Sequence, residues 1–179
     1  MSLPNYITLG RILLIPFFFT TLLSYQPGHE STRWAAFAIF LFASLTDALD
    51  GFLARALKSK TQLGCFLDPL ADKLLLLSGF LGLLFVPSLP YRPPLWITVT
   101  VVFRDLLLVA GMILIFLASG QLRVHPNIWG KCATACQMAT LVAILAAHPA
   151  AVPLWYLMAG LTIFSGFTYI FRDFIKLKL

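Results

Sequence analysis

The chain has 179 residues, of which 60% are hydrophobic and 11% charged, with a formal net charge of +6 and a mean hydropathy of +0.90. A soluble domain averages about 25% charged residues, so a chain this poor in charge cannot cover a water-facing surface, and lipid is the expected solvent for most of it. The basic residues sit in short stretches between apolar runs, where topology signals and lipid headgroup contacts occur, which argues against nucleic acid as a partner.

Six apolar segments can be read in chain order, at about 6–24, 34–56, 65–87, 94–118, 129–147 and 153–172. Each is near the roughly 20 residues needed to cross a bilayer. The breaks fall at Gln26-Pro27-Gly28, Lys58-Ser59-Lys60, Pro87 to Pro94, Gly120 to Pro126 and His148-Pro149, where Pro and Gly end helices. Helices are the default spanning element because each satisfies its own backbone. The expected fold is all-α: a polytopic membrane protein, a bundle of six transmembrane helices, forming one domain over residues 1–179. The first segment carries Arg11 and has neither a basic start nor a clear cleavage site, so it is read as a span rather than a signal peptide.

With the N-terminus inside, the inner loops and tail hold Arg55, Lys58, Lys60, Arg123, Lys131, Arg172, Lys176 and Lys178, against Arg33 and Arg92 outside. That bias predicts cytoplasmic N- and C-termini in an inner (cell) membrane. Cys65, Cys132 and Cys136 have the spacing of neither a disulfide framework nor a zinc site, and His29, His125 and His148 are scattered at segment ends.

Four of the seven acidic residues, Asp47, Asp50, Asp68 and Asp72, lie at the end of the second segment and the start of the third. An aspartate at membrane depth costs roughly 2.5–3.5 kcal/mol on insertion scales. Asp47 and Asp50 are three apart and Asp68 and Asp72 four apart, so each pair shares a helix face. With segments two and three antiparallel neighbours, the pairs can face each other near the cytoplasmic surface. Converging carboxylates repel unless cations sit between them, and hard oxygen ligands select Mg²⁺, Mn²⁺ or Ca²⁺. A two-metal clamp can neutralise a pyrophosphate and stabilise displacement at phosphorus. Two plainer readings stand beside this: ion pairing with Arg55, Lys58, Lys60 or Lys73, and an ion or proton pathway.

The surrounding residues argue against the pathway, while ion pairing by one or two of the aspartates stays compatible with the metal reading. Asp47-Ala48-Leu49-Asp50-Gly51-Phe52-Leu53-Ala54-Arg55, then eight residues, then Gly64-Cys65-Phe66-Leu67-Asp68-Pro69-Leu70-Ala71-Asp72 resembles the signature of the CDP-alcohol phosphatidyltransferase family, D-x2-D-G-x2-A-R-x8-G-x3-D-x3-D, with every fixed position present. Pro4-Asn5-x-Ile7-Thr8-x-x-Arg11 resembles the family's N-terminal opening. Gly130-Lys131-x-x-Thr134-x-x-Gln137 resembles a fifth-segment motif of its glycerolipid branch.

The resemblance implies transfer of the phosphatidyl group of CDP-diacylglycerol to an alcohol, with release of CMP. It implies Asp47, Asp50, Asp68 and Asp72 as ligands of Mg²⁺ or Mn²⁺, two ions in all, and Asp72 as general base for the acceptor hydroxyl. Gly51, Ala54, Arg55, Gly64, Asn5 and Thr8 are implied around the CDP-lipid, and a homodimer is implied as the assembly. Small residues admit a nucleotide close to a helix backbone, and an arginine can fork onto phosphate oxygens.

Arg104, Lys131, Thr134 and Arg11 are the candidates for binding the acceptor. Arg104-Asp105 reads equally as a local ion pair or a polar helix–helix contact; for Lys131 the plainer account is a snorkelling side chain, against which its motif context favours acceptor binding. The expected acceptor is glycerol 3-phosphate, as in the phosphatidylglycerophosphate-forming branch; phosphatidylglycerol, as in the cardiolipin-forming branch, is the alternative. Where the first branch carries Arg-Glu and a further Arg in its fourth helix, this chain has Arg104-Asp105 and then the apolar run Leu106 to Leu117, and it has Ala133 where a second Lys is common. Two other classes stand beside it: a Mg²⁺-dependent membrane prenyltransferase, whose chains are longer and lack the D-G-x2-A-R block, and a small carrier or non-catalytic relative; release of CMP from a CDP-lipid separates the three.

Overall fold

The computed structural model describes the backbone of residues 3–56, 62–119 and 128–176, and side chains within 8–46, 67–111, 113–114, 117 and 128–167. Six α-helices make up the described chain: α1 (Leu3–Leu23), α2 (Glu30–Ala56), α3 (Gln62–Phe85), α4 (Leu95–Ser119), α5 (Ile128–Leu145) and α6 (Ala151–Lys176). At a rise of about 1.5 Å per residue they run from roughly 27 to 40 Å, the scale of a bilayer's hydrocarbon core. All six expected segments are present, with ends displaced by a few residues. The break at Lys58–Lys60 lies outside the described residues, as does all of Gly120 to Pro126.

Local chemistry sets the ends that are seen. After α1 the chain turns through Pro27 and Gly28, whose φ of +93° is open to glycine at no steric cost. α5 closes with His148 N–H donating to Ala143 O (2.8 Å) and Ala147 N–H to Ile144 O (2.9 Å), and Ala147 takes the left-handed conformation such a cap needs. The buried Arg33, in the first turn of α2, donates from Nη1 to Leu145 O, the last carbonyl of α5. A cation at a helix C-terminus satisfies an orphaned acceptor and the helix dipole together. Glu30 pairs with the same guanidinium at 2.7 Å.

α3 is the hub. It packs along α1 and α4 and also touches α2 and α5; α5 and α6 form a second close pair, and α4 closes onto α6. The sequence suggests α2 and α3 as direct neighbours, but their mutual contact is short because α1 lies along both. Phe18 of α1 meets Phe40 of α2 with ring centroids 5.4 Å apart. Around them Leu22, Leu75, Leu76, Phe80, Leu83, Leu141 and Ile144 form one buried core. Glycine permits the closest approaches of α3. A Cβ on Gly79 would come within 2.7 Å of Leu141 Cδ1, and one on Gly82 would collide with the Leu22 side chain. Small residues at such crossings let helix backbones approach closely.

The outer faces are apolar. Leu13, Phe17, Phe42, Phe85, Phe103, Leu114 and Leu117 are more than half exposed, and so are Leu157 and Phe167. Among the described residues, Ile128–Leu145 is the one helix long and apolar enough by itself to cross a membrane; shorter apolar stretches occupy Thr8–Leu23 and Ala151–Phe167.

Candidate active site

The site is built on the first half of α3. Asp68 and Asp72 stand one turn apart on this helix, both half-buried. Pro69 between them removes one backbone donor; such losses are tolerated in membrane helices where neighbours re-satisfy the freed groups. From α1, the buried Thr8 donates its hydroxyl to Asp68 Oδ1 at 2.6 Å. Arg11, three residues further along the same face, is 1% exposed. The N-terminal motif is therefore laid against the helix that carries the second half of the aspartate signature.

Immediately after Asp72, Lys73 turns to the other side of α3 and joins three helices. Its Nζ donates to Thr134 Oγ1 on α5 (3.0 Å) and to Asp105 Oδ1 on α4 (3.3 Å). The same Asp105 oxygen takes Arg104 Nη1 at 2.6 Å, and Arg104 Nη2 donates to Ser165 Oγ on α6 at 2.8 Å. Thr134 in turn donates to Gly130 O, one turn back, at 3.0 Å. Asp105 is 1% exposed, so two cations share a carboxylate that water cannot reach. Burial makes this carboxylate the principal partner of both cations, in a region where unpaired charge is costly. Gln137, the last residue of the fifth-segment motif, is fully buried, and neither end of its amide has a partner among the described residues.

The candidates therefore fall into groups. Thr8, Arg11, Asp68 and Asp72 lie on the facing parts of α1 and α3. Thr134 and Arg104 are tied to α3 through Lys73 and Asp105. Lys131 is exposed and outside that network. Arg104 has its two terminal nitrogens on Asp105 and Ser165, the ion-pair arrangement that stood as its plainer reading. The backbone carries Asp47, Asp50, Gly51, Ala54 and Arg55 in the last turns of α2 and Gly64 in the first turn of α3. Their side chains, and that of Asn5, lie outside the described residues. Among the described residues no three His, Cys, Asp or Glu side chains form a cluster. Sequence reasoning allowed a polar helix–helix contact for Arg104-Asp105 and an ion pair for Lys73 with the signature aspartates, but did not pair Lys73 with Asp105 or Thr134. The available signal was that each is a charge in the middle of an apolar segment, which demands a partner. Ser165 gave none.

Comparison with known proteins identifies the family. A family model for CDP-alcohol phosphatidyltransferase matches residues 1–167. The chain is 36% identical over 190 residues to a CDP-diacylglycerol–glycerol-3-phosphate 3-phosphatidyltransferase of Pseudomonas fluorescens, covering 99% of this chain and 93% of that protein. It is 33% identical over 177 residues to a probable phosphatidylglycerophosphate synthase of Mycobacterium tuberculosis, covering 96% and 81%. It is 30% identical over 202 residues to a probable CMP-forming cardiolipin synthase of Drosophila melanogaster, covering all of this chain and 60% of that protein. The match runs through the aspartates of α2 and α3 and spans nearly every helix, and the chain belongs to the CDP-alcohol phosphatidyltransferase family, as a phosphatidyltransferase enzyme.

Proposed function

We propose that this enzyme transfers the phosphatidyl group of CDP-diacylglycerol to glycerol 3-phosphate, releasing CMP, from within a bilayer that all six helices cross. The observation that carries the reading is the Thr8–Asp68 contact. It joins the N-terminal motif to the signature aspartates in one interior face of a protein whose outer faces are leucine and phenylalanine. Membrane insertion is supported by those outer faces, which would not remain dispersed in water. Charge bias supports cytoplasmic termini in a cell membrane. The single core supports one domain over residues 1–179, and the family resemblance supports a homodimer.

The donor set fits a hard divalent cation. Asp68 and Asp72 are acceptor-only carboxylates one turn apart, and a buried hydroxyl already orients one oxygen of Asp68, as outer partners of metal ligands do. Asp47, Asp50, Asp68 and Asp72 would hold Mg²⁺ or Mn²⁺, two ions, and the bound metal supplies charge neutralisation at the pyrophosphate.

The chain's own residues do the rest. Arg55, with Gly51, Ala54 and Gly64 leaving room beside the backbone, binds the cytidine diphosphate portion together with Asn5 and Thr8. Asp72 accepts the proton of the acceptor hydroxyl. The hydroxyl oxygen forms a new bond to the phosphorus that bears diacylglycerol, and the bond from that phosphorus to the bridging oxygen breaks. CMP leaves with that oxygen and its electron pair. Arg11, Arg104, Lys131 and Thr134 surround the acceptor, and basic side chains among them suit a phosphate-bearing alcohol.

A second acceptor, phosphatidylglycerol, is favoured by one observation: Arg104 is held by Asp105 and Ser165, and apolar residues follow it. An acceptor panel with the purified enzyme separates the two. Glycerol 3-phosphate is expected to give CMP and a phosphatidylglycerophosphate product. CMP and cardiolipin from phosphatidylglycerol alone would transfer the assignment to the second acceptor.

A further inference from the structure

The core grips α3 from Leu75 onward: Leu75, Leu76, Leu77, Phe80 and Leu83 are all buried. The preceding turns are held differently. Among residues 67–74 the one buried side chain is the small Ala71, and Pro69 is exposed. Pro69 also lacks the N–H that would bond the carbonyl four residues back, which loosens the helix just before Asp72. These are the turns that carry Asp68 and Asp72. Polar contacts on two sides hold them. Thr8 of α1 holds Asp68. Away from α1, Lys73, whose side chain is 15% exposed, reaches Thr134 of α5 at 3.0 Å and Asp105 of α4 at 3.3 Å. At 3.6 residues per turn Lys73 projects roughly 100° from Asp72 and roughly 140° from Asp68, so its hold acts across the helix from the aspartates.

We infer that Lys73 is a positioning residue for phosphatidyl transfer: its double contact with Asp105 and Thr134 fixes the rotation of the α3 turn that aims Asp68 and Asp72. The inference rests on the proposed function, which gives those carboxylates to metal and to proton transfer. A carboxylate lies about 6 Å from its helix axis, so a rotation of about 20° moves it by about 2 Å. A misplacement of about 1 Å can cost on the order of a hundredfold in rate. Apolar packing tolerates small slippage, whereas one ammonium with directional partners on two helices admits a single register. Its partners are themselves fixed. Asp105 is 1% exposed and also takes Arg104 Nη1 at 2.6 Å, and Arg104 Nη2 reaches Ser165 of α6 at 2.8 Å. Lys73 therefore ties the weakly packed part of α3 to a frame made by α4, α5 and α6. Two other roles, direct contact of Nζ with the acceptor and direct action of its charge on Asp72, give different kinetic signatures.

Lys73→Met nearly keeps the side chain's length and leaves Asp105 with Arg104 as its partner. CMP release is measured against Mg²⁺, CDP-diacylglycerol and the acceptor in turn, beside the melting temperature in detergent. In Lys73→Met kcat is expected to fall by about ten- to a hundredfold and the Mg²⁺ midpoint to rise by about tenfold, with the acceptor KM changed by less than about twofold. Lys73→Arg, which keeps a charged donor for Asp105, is expected to recover most of kcat. Asp105→Asn keeps the Lys73 charge but loses its ionic anchor, and is expected to lower kcat and raise the Mg²⁺ midpoint in the same direction. Should Lys73→Met not fold, Lys73→Gln, too short to reach both partners, takes its place with the same expectations. Three results would overturn the assignment. A lower melting temperature with kcat and Mg²⁺ midpoint unchanged would leave Lys73 a purely structural residue. A change confined to the acceptor KM would make it an acceptor ligand. Normal kcat in Asp105→Asn beside a slow Lys73→Met would assign the effect to charge. If the unsubstituted enzyme released no CMP, the proposed function would fail first; an active enzyme indifferent to Lys73→Met condemns the positioning role alone.

Discussion

Thr8 on α1 donates its hydroxyl to Asp68 on α3 across 2.6 Å, linking residues sixty positions apart in the chain. The contact orients a carboxylate that the proposed function assigns to metal. Such outer partners typically matter by 10–100-fold in metal affinity or activity. Thr8→Val is therefore expected to raise the Mg²⁺ concentration for half-maximal CMP release by about tenfold or more, and Thr8→Ser to restore most of it. A Mg²⁺ titration of the three proteins checks this, and an unshifted midpoint in Thr8→Val would detach the hydroxyl from the metal site.

Metal removal tests the site as a whole. EDTA is expected to abolish CMP release, with Mg²⁺ or Mn²⁺ restoring it. Asp47→Asn and Asp50→Asn are expected to weaken metal-dependent binding of the CDP-lipid as well as turnover. Full activity in a metal-stripped preparation would remove the two-ion reading.

The buried cluster around Asp105 makes a prediction about stability. Removing one partner of a buried ion pair leaves an uncompensated charge and typically costs about 3–5 kcal/mol. In Asp105→Asn two cations, Lys73 and Arg104, lose one carboxylate. The melting temperature in detergent is expected to fall by several degrees. The double variant Lys73→Met/Asp105→Asn is expected to recover part of the loss, since the residues share one network. Simple additivity would mean the Lys73–Asp105 contact carries little energy.

The six helices were legible because they depend on local pattern: apolar runs of spanning length, with Pro and Gly at the breaks. The position of α1 along both α2 and α3 was not legible, because near-uniform hydrophobicity leaves no polar face to say which neighbour a helix chooses. Nor was the pairing of Lys73 with Thr134 and Asp105, which joins residues on three helices. Arg104 shows the limit most clearly. Its sequence context allowed an ion pair, a polar helix–helix contact or a phosphate ligand, and only the positions of Asp105 and Ser165 show where its terminal nitrogens go.

Orientation is tested by cysteine labelling in intact cells. The native Cys132 is exposed, so the background needs Cys65, Cys132 and Cys136 replaced. A cysteine introduced at Ser59 is expected to be protected from an impermeant reagent, and one at Ser88 to react. The reverse pattern would put the aspartates on the face opposite the cytosol and overturn the charge-bias reading.

The division of labour between Asp68 and Asp72 is the sharpest test of the chemistry. Both are on one face of α3, but the described contacts tie Asp68, not Asp72, to the Thr8 hydroxyl. If Asp72 is the general base, Asp72→Asn keeps the side chain's shape and some ligand capacity while losing the proton acceptor. General-base contributions are typically about 10²–10⁴-fold, so kcat is expected to fall by that order while CDP-lipid binding in Mg²⁺ changes modestly. Asp68→Asn is expected to damage binding and turnover together, because a metal ligand serves the ground state and the transition state alike. Titration calorimetry with the CDP-lipid, paired with CMP release on the true acceptor, separates the outcomes. Near-normal turnover in Asp72→Asn would mean the hydroxyl loses its proton elsewhere, and activation of the acceptor by bound metal would then be the better account.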